Sequence, residues 1–286
     1  MSSPLVSVYI PTRNRRELLR RAVESVLGQS YPAIEILVAD DASDDGTEAM
    51  MRSWAAREPR LRYLRIGEPS GANVARNRAI RAARGVFVTG LDDDDIMLPE
   101  RVEKLVTAYR DDLAFVTSRY YVEDGRRRRI RPRVVARRIR RRDLLYANIV
   151  GNQVFAPRRR FVEAGLFDET LPAAQDIDMW IRMLGEGEAE ILPEPLQIVR
   201  GNGDGITAST ERRREGYRRV YRKHRHLMSR DQRRYKLFAF ALAAPRPSLR
   251  RAWRLIPRHP RYTLVALLQW SRALMRQRAL GPKGVL

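Results

Sequence analysis

The 286-residue sequence predicts an α/β protein whose mostly parallel sheet is covered by helices on both faces. Three observations predict it. Short apolar runs alternate with amphipathic stretches of helical period through the first hundred residues. Three of those runs end in polar sequence, namely Pro11-Thr12-Arg13-Asn14, Asp40-Asp41 and Asp92-Asp93-Asp94-Asp95, as expected where an open sheet presents its strand carboxyl ends to a ligand. A hydrophobic content of 44% is enough for one substantial core with a smaller appended unit.

The elements follow in order. Val6-Ser7-Val8-Tyr9-Ile10 reads as a buried strand stopped by Pro11. Leu18, Leu19, Ala22, Val23, Val26 and Leu27 then repeat at helical spacing, with Arg and Glu between them. A second strand over residues 34–39 runs into the acidic turn Asp40-Asp41-Ala42-Ser43-Asp44-Asp45-Gly46-Thr47, and a helix follows to about Arg57. Residues 61–66 form a third strand, 73–84 a helix, and 85–90 a fourth strand that ends in the four aspartates. Residues 125–142 are dominated by arginine, so repulsion predicts an exposed loop or ribbon. A second unit spans 144–200. Beyond about Ser209 come a basic helical pattern (211–234), an apolar stretch (235–244), and a stripe of Leu264, Leu267, Leu268, Leu274 and Met275 flanked by Arg261, Arg272, Arg276 and Arg278.

Composition narrows the class. The absence of cysteine excludes disulfides, zinc–thiolate sites and cysteine nucleophiles, and suits a reducing cytoplasm. The amino terminus has no secretory signal, and no apolar run reaches the roughly 18 residues of a spanning helix. A soluble or peripherally bound protein is expected. The net charge of +22 attracts polyanions, whether nucleic acid, anionic lipid or acidic glycan. Helix-turn-helix, zinc-finger and RNP signatures are missing, and the arginine run lacks interleaved aromatic residues, so nucleic acid is not the expected partner.

Four consecutive aspartates repel one another unless a cation offsets them. Hard divalent cations prefer carboxylate oxygens, and Mg²⁺ is typically held by one or two carboxylates plus substrate phosphates. In an extended segment Asp92 and Asp94 point to one side and Asp93 and Asp95 to the other, so one pair can reach a metal and a diphosphate together. The alternative is an acidic turn that caps a helix beginning near Pro99. A Walker-type phosphate loop is absent, which makes a metal the more natural phosphate binder.

The stretch from Val6 through Asn14 resembles the opening of family 2 glycosyltransferases, which have the GT-A fold. So do Ser25-Val26-Leu27-Gly28-Gln29-Ser30-Tyr31-Pro32, the acidic turn from Asp40 to Thr47, Ala75-Arg76-Asn77, Ala83-Arg84-Gly85, and Leu91-Asp92-Asp93-Asp94-Asp95 with Pro99 beyond. Gly165-Leu166-Phe167-Asp168-Glu169 and Gln175-Asp176-Ile177-Asp178-Met179-Trp180-Ile181-Arg182 complete the resemblance, which covers roughly residues 5–205.

The resemblance implies an inverting transfer from a nucleotide-sugar donor, UDP- or dTDP-linked, with Mn²⁺ or Mg²⁺ as cofactor. It implies nucleotide contacts from Pro11, Arg13, Asp41, Arg76, Asp92 and Asp93, with Asp40 second to Asp41. At Arg13 relatives often carry an aromatic ring, for which a guanidinium plane would have to substitute. It implies metal contact from Asp92 and Asp94, and Asp176 as catalytic base with Asp178 as runner-up. The usual Glu-Asp pair is here Gln175-Asp176. Independently of the family, Asp176 also suits a helix N-cap. A metal-ligating histidine of some relatives is missing, and Asp204 or Asn202 would substitute. His224, His226 and His259 lie in the basic tail and are expected at the surface.

The expected organisation is a catalytic domain over 1–208, with a nucleotide-binding half about 1–97 and an acceptor half about 98–208, followed by a basic helical extension over 209–286. The expected acceptor is a glycan or a lipid-linked glycan of the cell surface. The basic, apolar tail suits an anionic membrane surface, at the inner face of the cell membrane. A non-catalytic relative, a nucleotidyltransferase and a basic nucleic-acid- or membrane-binding protein are the competing readings; intact Asp92, Asp94 and Asp176 stand against the first.

Overall fold

The computed structural model of the chain describes residues 3–125, 127–132, 137–200, 210–244 and 247–280. Strand β1 (Val6–Thr12) is buried along its whole length, because it lies between β2 (Ile34–Asp41) and β4 (Phe87–Gly90) and parallel to both. A strand with neighbours on both edges and helices on both faces has no solvent side, hence its unbroken apolar run. Strand β3 (Leu61–Ile66) pairs with β2 at the sheet's edge and is only half-buried through its middle.

Three helices connect these strands: α1 (Arg16–Leu27), α2 (Thr47–Ala55) and α3 (Ala72–Ala82). Helix α1 buries Leu19, Ala22, Val23 and Val26, a single stripe at helical spacing. Alternate residues of the inner strands serve opposite cores. Val8, Ile10, Ile36 and Val38 join the α1 stripe in one cluster. Tyr9, Leu37 and Ala39 join Ala75, Ala79 and Ile80 of α3 in the other.

The second half comprises β5 (Ile96–Met97), α4 (Arg101–Ala108), β6 (Leu113–Asp124), β7 (Arg127–Arg131), β8 (Arg138–Arg140), α5 (Arg141–Leu144), β9 (Phe155–Pro157), α6 (Arg158–Glu163), α7 (Gln175–Leu184) and β10 (Glu188–Arg200). The strand order is β3-β2-β1-β4-β9-β6-β10-β5, with β7 beside β6 and β8 beside β10. The sheet is therefore mixed. The first four strands are parallel, β6 and β10 are parallel, and antiparallel pairing enters through β5, β7, β8 and β9.

The arginine-rich segment is more ordered than repulsion alone predicts. Its first part is the antiparallel ribbon β6–β7. Its second part, β8, adds to β10 and buries Ile139. Arg137 and Arg138 pair with Glu190, Arg140 with Glu188, and Arg141 with Glu186. Carboxylates about fifty residues downstream neutralise this second part of the run, and a local reading of charge does not see them.

The C-terminal helices are α8 (Thr210–His224), α9 (Arg230–Leu242), α10 (Leu249–Arg254) and α11 (Pro260–Leu280). Helix α8 packs into the sheet-bearing unit: its Val220, with Met228 just beyond its end, shares a buried cluster with Trp180 of α7. At Gly216 a Cβ would lie 2.3 Å from the Ala173 carbonyl oxygen, so only glycine lets α8 approach the segment leading into α7. His224 is not at the surface as expected. It is buried, and its Nε2 lies 2.7 Å from Asp178. Helices α9 to α11 close over Tyr146 of the catalytic unit, whose ring stacks on Tyr262 at 3.9 Å.

Candidate active site

The ends of β1, β2 and β4 bring the polar sequences together. At the end of β1, Pro11 is buried in register with Ala39, and Arg13 beyond it is exposed. Asn14 adopts φ +52° and ties the two strand ends together. Its backbone N–H donates to Ser43 Oγ, and its Oδ1 accepts from the Asp44 N–H. Asp41 is buried, and its two oxygens accept from the backbone N–H groups of Ser70 (2.6 Å) and Gly71 (2.9 Å), the entry to α3. A carboxylate has about four lone-pair sites, so it retains acceptor capacity for a nucleobase. Asp40 is spent inside the fold on Ser43, Tyr63 and Arg65.

The four aspartates form a tight turn, with the Asp95 N–H donating to the Asp92 carbonyl, and not the extended segment the sequence suggested. The turn changes their pairing. Asp92 and Asp95 share Asn152, while Asp93 and Asp94 share Arg15. Asp92 Oδ1 also accepts from Arg76 Nη2 at 2.8 Å, and that guanidinium is itself buried beside Phe167. Asp93 is buried against Thr12 and Arg15, and burial pushes its carboxyl up to about 6. Burial, then the charge of Asp92, pushes Asp94 up as well. Asp95 is structural. It accepts from Asn152, Gln197 and the Arg200 N–H, and so pins β10 beside the strand ends. Gly90 precedes the turn because a Cβ there would meet Gln153 at 2.1 Å and the Tyr9 ring at 2.3 Å.

These residues fit a divalent cation by their chemistry. Asp92 and Asp94 offer hard oxygen donors, remain partly exposed at 25% and 20%, and repel each other. Among the described residues no three His, Cys, Asp or Glu side chains converge as a metal set, so substrate phosphates would have to complete the coordination. Asn202 and Asp204, the suggested histidine substitutes, lie outside the described residues.

Asp176 stands in the first turn of α7, two residues after the cap position. Ala174 occupies that position, so the cap reading is corrected. Its Oδ2 accepts from Asn148 Nδ2 at 2.7 Å. The Asn148 amide cannot turn over without loss, because its Oδ1 accepts from the N–H groups of both Val150 and Gly151. Burial pushes Asp176 up to about 6, while the Ile177 N–H and Arg76 hold it down and Asp92 adds to the rise. The turn from Asn148 to Gln153 thus grips both ends of the site: Asn148 holds Asp176, and Asn152 and Gln153 hold Asp92. Asp178, the runner-up, is fully buried and paired with Arg182, Lys223 and His224. Burial opposes its charge, but those partners win and bring its carboxyl down to about 2, too low for a base near neutrality.

Sequence reasoning missed Arg15, Asn148, Asn152 and Gln153. Only the Asn-Gln pair after Gly151 carries a signal, as amides in an otherwise apolar stretch; the rest depends on tertiary contact.

Comparison with known proteins bears on the family and the fold. The model of glycosyl transferase family 2 matches residues 7–167. A putative colanic acid biosynthesis glycosyl transferase, WcaA of Escherichia coli, is 37% identical over 83% of this chain and 87% of its own. TuaG of Bacillus subtilis, a putative teichuronic acid biosynthesis glycosyltransferase, is 41% identical over 35% of this chain and 40% of its own. The structure of S. aureus TarS 1-349 in complex with UDP-GlcNAc covers 96% of this chain and 92% of its own, with a TM-score of 0.61 at 16% identity. The mannosyltransferase PcManGT of Pyrobaculum calidifontis, in complex with GDP-Man and Mn²⁺, covers 98% and 76%, with a TM-score of 0.57 at 22% identity. The fold is of the GT-A type.

Proposed function

The chain belongs to glycosyl transferase family 2, and on that premise we propose that it moves a sugar, with inversion, from a UDP- or dTDP-sugar to an acceptor hydroxyl in the assembly of a cell-surface polysaccharide or glycolipid. The observation that carries this reading is the pairing of Asp176 and Asp92 through one turn. A carboxylate with a pKa of about 6 stands beside the ion pair of buried Arg76 with half-buried Asp92.

Asp176 takes the proton of the acceptor hydroxyl as that oxygen bonds to the anomeric carbon and the bond to the nucleoside diphosphate breaks. A pKa near 6 keeps it charged at neutral pH yet basic enough for the transfer. One displacement inverts the anomeric centre. Asp41 and the end of β1 receive the nucleobase, and Arg76, beside Asp92, faces the phosphates. Asp92 and Asp94 would hold Mn²⁺ or Mg²⁺, which when bound offsets the charge of the departing diphosphate. A retaining hydrolase would need two carboxylates about 5 Å apart around the sugar. Here the second candidate, Asp178, is sequestered by Arg182, Lys223 and the His224 ring. The metal is supported by Mn²⁺ in the mannosyltransferase complex, and the polysaccharide setting by the two biosynthetic relatives.

The C-terminal helices support attachment to an anionic membrane surface. On α11, Tyr262, Ala266 and Trp270 face inward, while Leu264, Leu267, Leu268 and Met275 stand exposed on the opposite side; Trp253 of α10, packed beside Trp270, is exposed as well. Among the described residues no helix is long and apolar enough to cross a membrane.

The test is nucleoside diphosphate release from UDP-, dTDP- and GDP-sugars with Mn²⁺ or Mg²⁺. Metal-dependent release from one donor is expected, lost in Asp94→Ala and strongly reduced in Asp176→Ala. Folded protein that releases nothing from any donor refutes the reading.

A further inference from the structure

The β6–β7 ribbon separates its arginines by face. Residues directly opposite in an antiparallel pair share a side of the sheet. Tyr120 faces Arg131, Val122 faces Arg129 and Asp124, at the end of β6, faces Arg127. Tyr121, Glu123, Ile130 and Arg128 occupy the reverse side. The reverse side is self-contained, for Arg128 pairs with Glu123 at 2.9 Å and covers the Tyr121 ring. Arg129 and Arg131, farther along the ribbon from Asp124, have no carboxylate partner among the described residues. Three cations in a row on one face, against one carboxylate position at its far end and a paired arginine behind, are more than a merely solvated ribbon requires.

That face leads to the catalytic carboxylate. Tyr120 lies so close over Gly151 that a Cβ there would come within 2.7 Å of its ring, and Gly151 is the residue whose carbonyl and N–H anchor Asn148 against Asp176. The charge of Asp176 contributes to raising the Tyr120 phenol, after burial, and Arg131 opposes it. Tyr217 of α8 stands near enough to Tyr120, Asp176 and Arg213 for their charges to act on its phenol. Aromatic rings beside the base, followed by regularly spaced guanidinium groups, form a track leading away from the reacting hydroxyl.

We infer that the Tyr120–Arg131–Arg129–Arg127 face is an acceptor track for an anionic glycan that carries a carboxylate on its repeating sugars. The inference rests on the transferase reading of Asp176. Alternate residues along a strand stand about 6.8 Å apart, so the three arginines span about 14 Å. A lipid-linked diphosphate concentrates its charge at one point and would use one end of such a row, whereas a glycan with a charge on each repeat meets all of it.

The experiment measures binding of labelled oligogalacturonate of defined length to the full chain, against neutral maltooligosaccharide of equal length and against a polyprenyl diphosphate in detergent. Donor turnover is followed separately by nucleoside diphosphate release. A chain of charge +22 holds any polyanion to some degree, so the informative comparison is between variants of equal charge. Arg127→Gln/Arg129→Gln/Arg131→Gln is set against Arg21→Gln/Arg57→Gln/Arg78→Gln, which removes three exposed arginines elsewhere. The ribbon variant is expected to lose about tenfold in oligogalacturonate affinity, as three partly exposed charge contacts allow, and the control variant much less. Equal losses in both variants, or a ribbon-dependent preference for the polyprenyl diphosphate, overturn the inference. Wild-type donor turnover without ribbon-dependent oligogalacturonate binding overturns the acceptor track alone and leaves the transferase standing. Ribbon-dependent binding without turnover of any donor supports the track and counts against the transferase.

Discussion

Replacing Asn148 by alanine isolates the group that holds the proposed base. The Asn148 Nδ2–Asp176 Oδ2 bond is 2.7 Å long and is donated to a carboxylate, so it favours the charged form. Hydrogen bonds to charged groups contribute about 1.5–3 kcal/mol, which corresponds to roughly one to two pKa units. With Asn148 present, burial leaves Asp176 at about 6, and activity should fall as pH drops through that value. Without it, the acidic limb of kcat/KM against pH should move up by roughly one to two units. The rate at neutral pH then falls by roughly two- to tenfold, and most of it returns on the alkaline side of the shifted limb. Asn148→Ser, which retains a donor, should lie between. The assay is the full pH profile with the donor identified by nucleotide release. An acidic limb that stays near 6 while the plateau collapses would refute the reasoning, because Asn148 would then support the fold and not the charge of Asp176.

Other outcomes follow from the clamp and from the tail. Asp178 has a folded-state pKa of about 2, below the ordinary carboxylate value, so its ion pairs stabilise the fold above about pH 4 and are lost as pH falls towards 2. The stability gap between wild type and Asp178→Asn, read from urea midpoints, should shrink by roughly 2 kcal/mol between pH 5 and pH 2; a gap that does not change with pH removes the clamp. Leu264→Ser/Leu268→Ser/Met275→Ser should release the protein from vesicles of mixed phosphatidylglycerol and phosphatidylcholine while leaving its melting temperature near that of wild type. Retention on those vesicles would end the membrane assignment for α11. Point variants suit this test better than removal of residues from 209 onward, because Val220 and Met228 belong to the catalytic core.

The repeated strand–helix pattern of the first half was legible because β1, β2 and α1 are shaped by local periodicity. A strand buried on both faces has to be apolar throughout, and a helix on its face has to carry a stripe such as Leu19, Ala22, Val23 and Val26. The residues proposed for the site were also visible, because Asp41, Asp92 to Asp95 and Asp176 stand at strand or helix ends in an order that resembles a known family. Tertiary structure decided what those residues touch. It folded the four aspartates into a turn that divides them between Arg15 and Asn152, and it placed Asn148 against Asp176 across 28 residues of chain. It buried His224 on Asp178, and it matched the arginines of β8 with glutamates about fifty residues away. Periodicity records which face of an element is dry. The partner of a polar side chain depends on where the chain returns, and that is settled by packing.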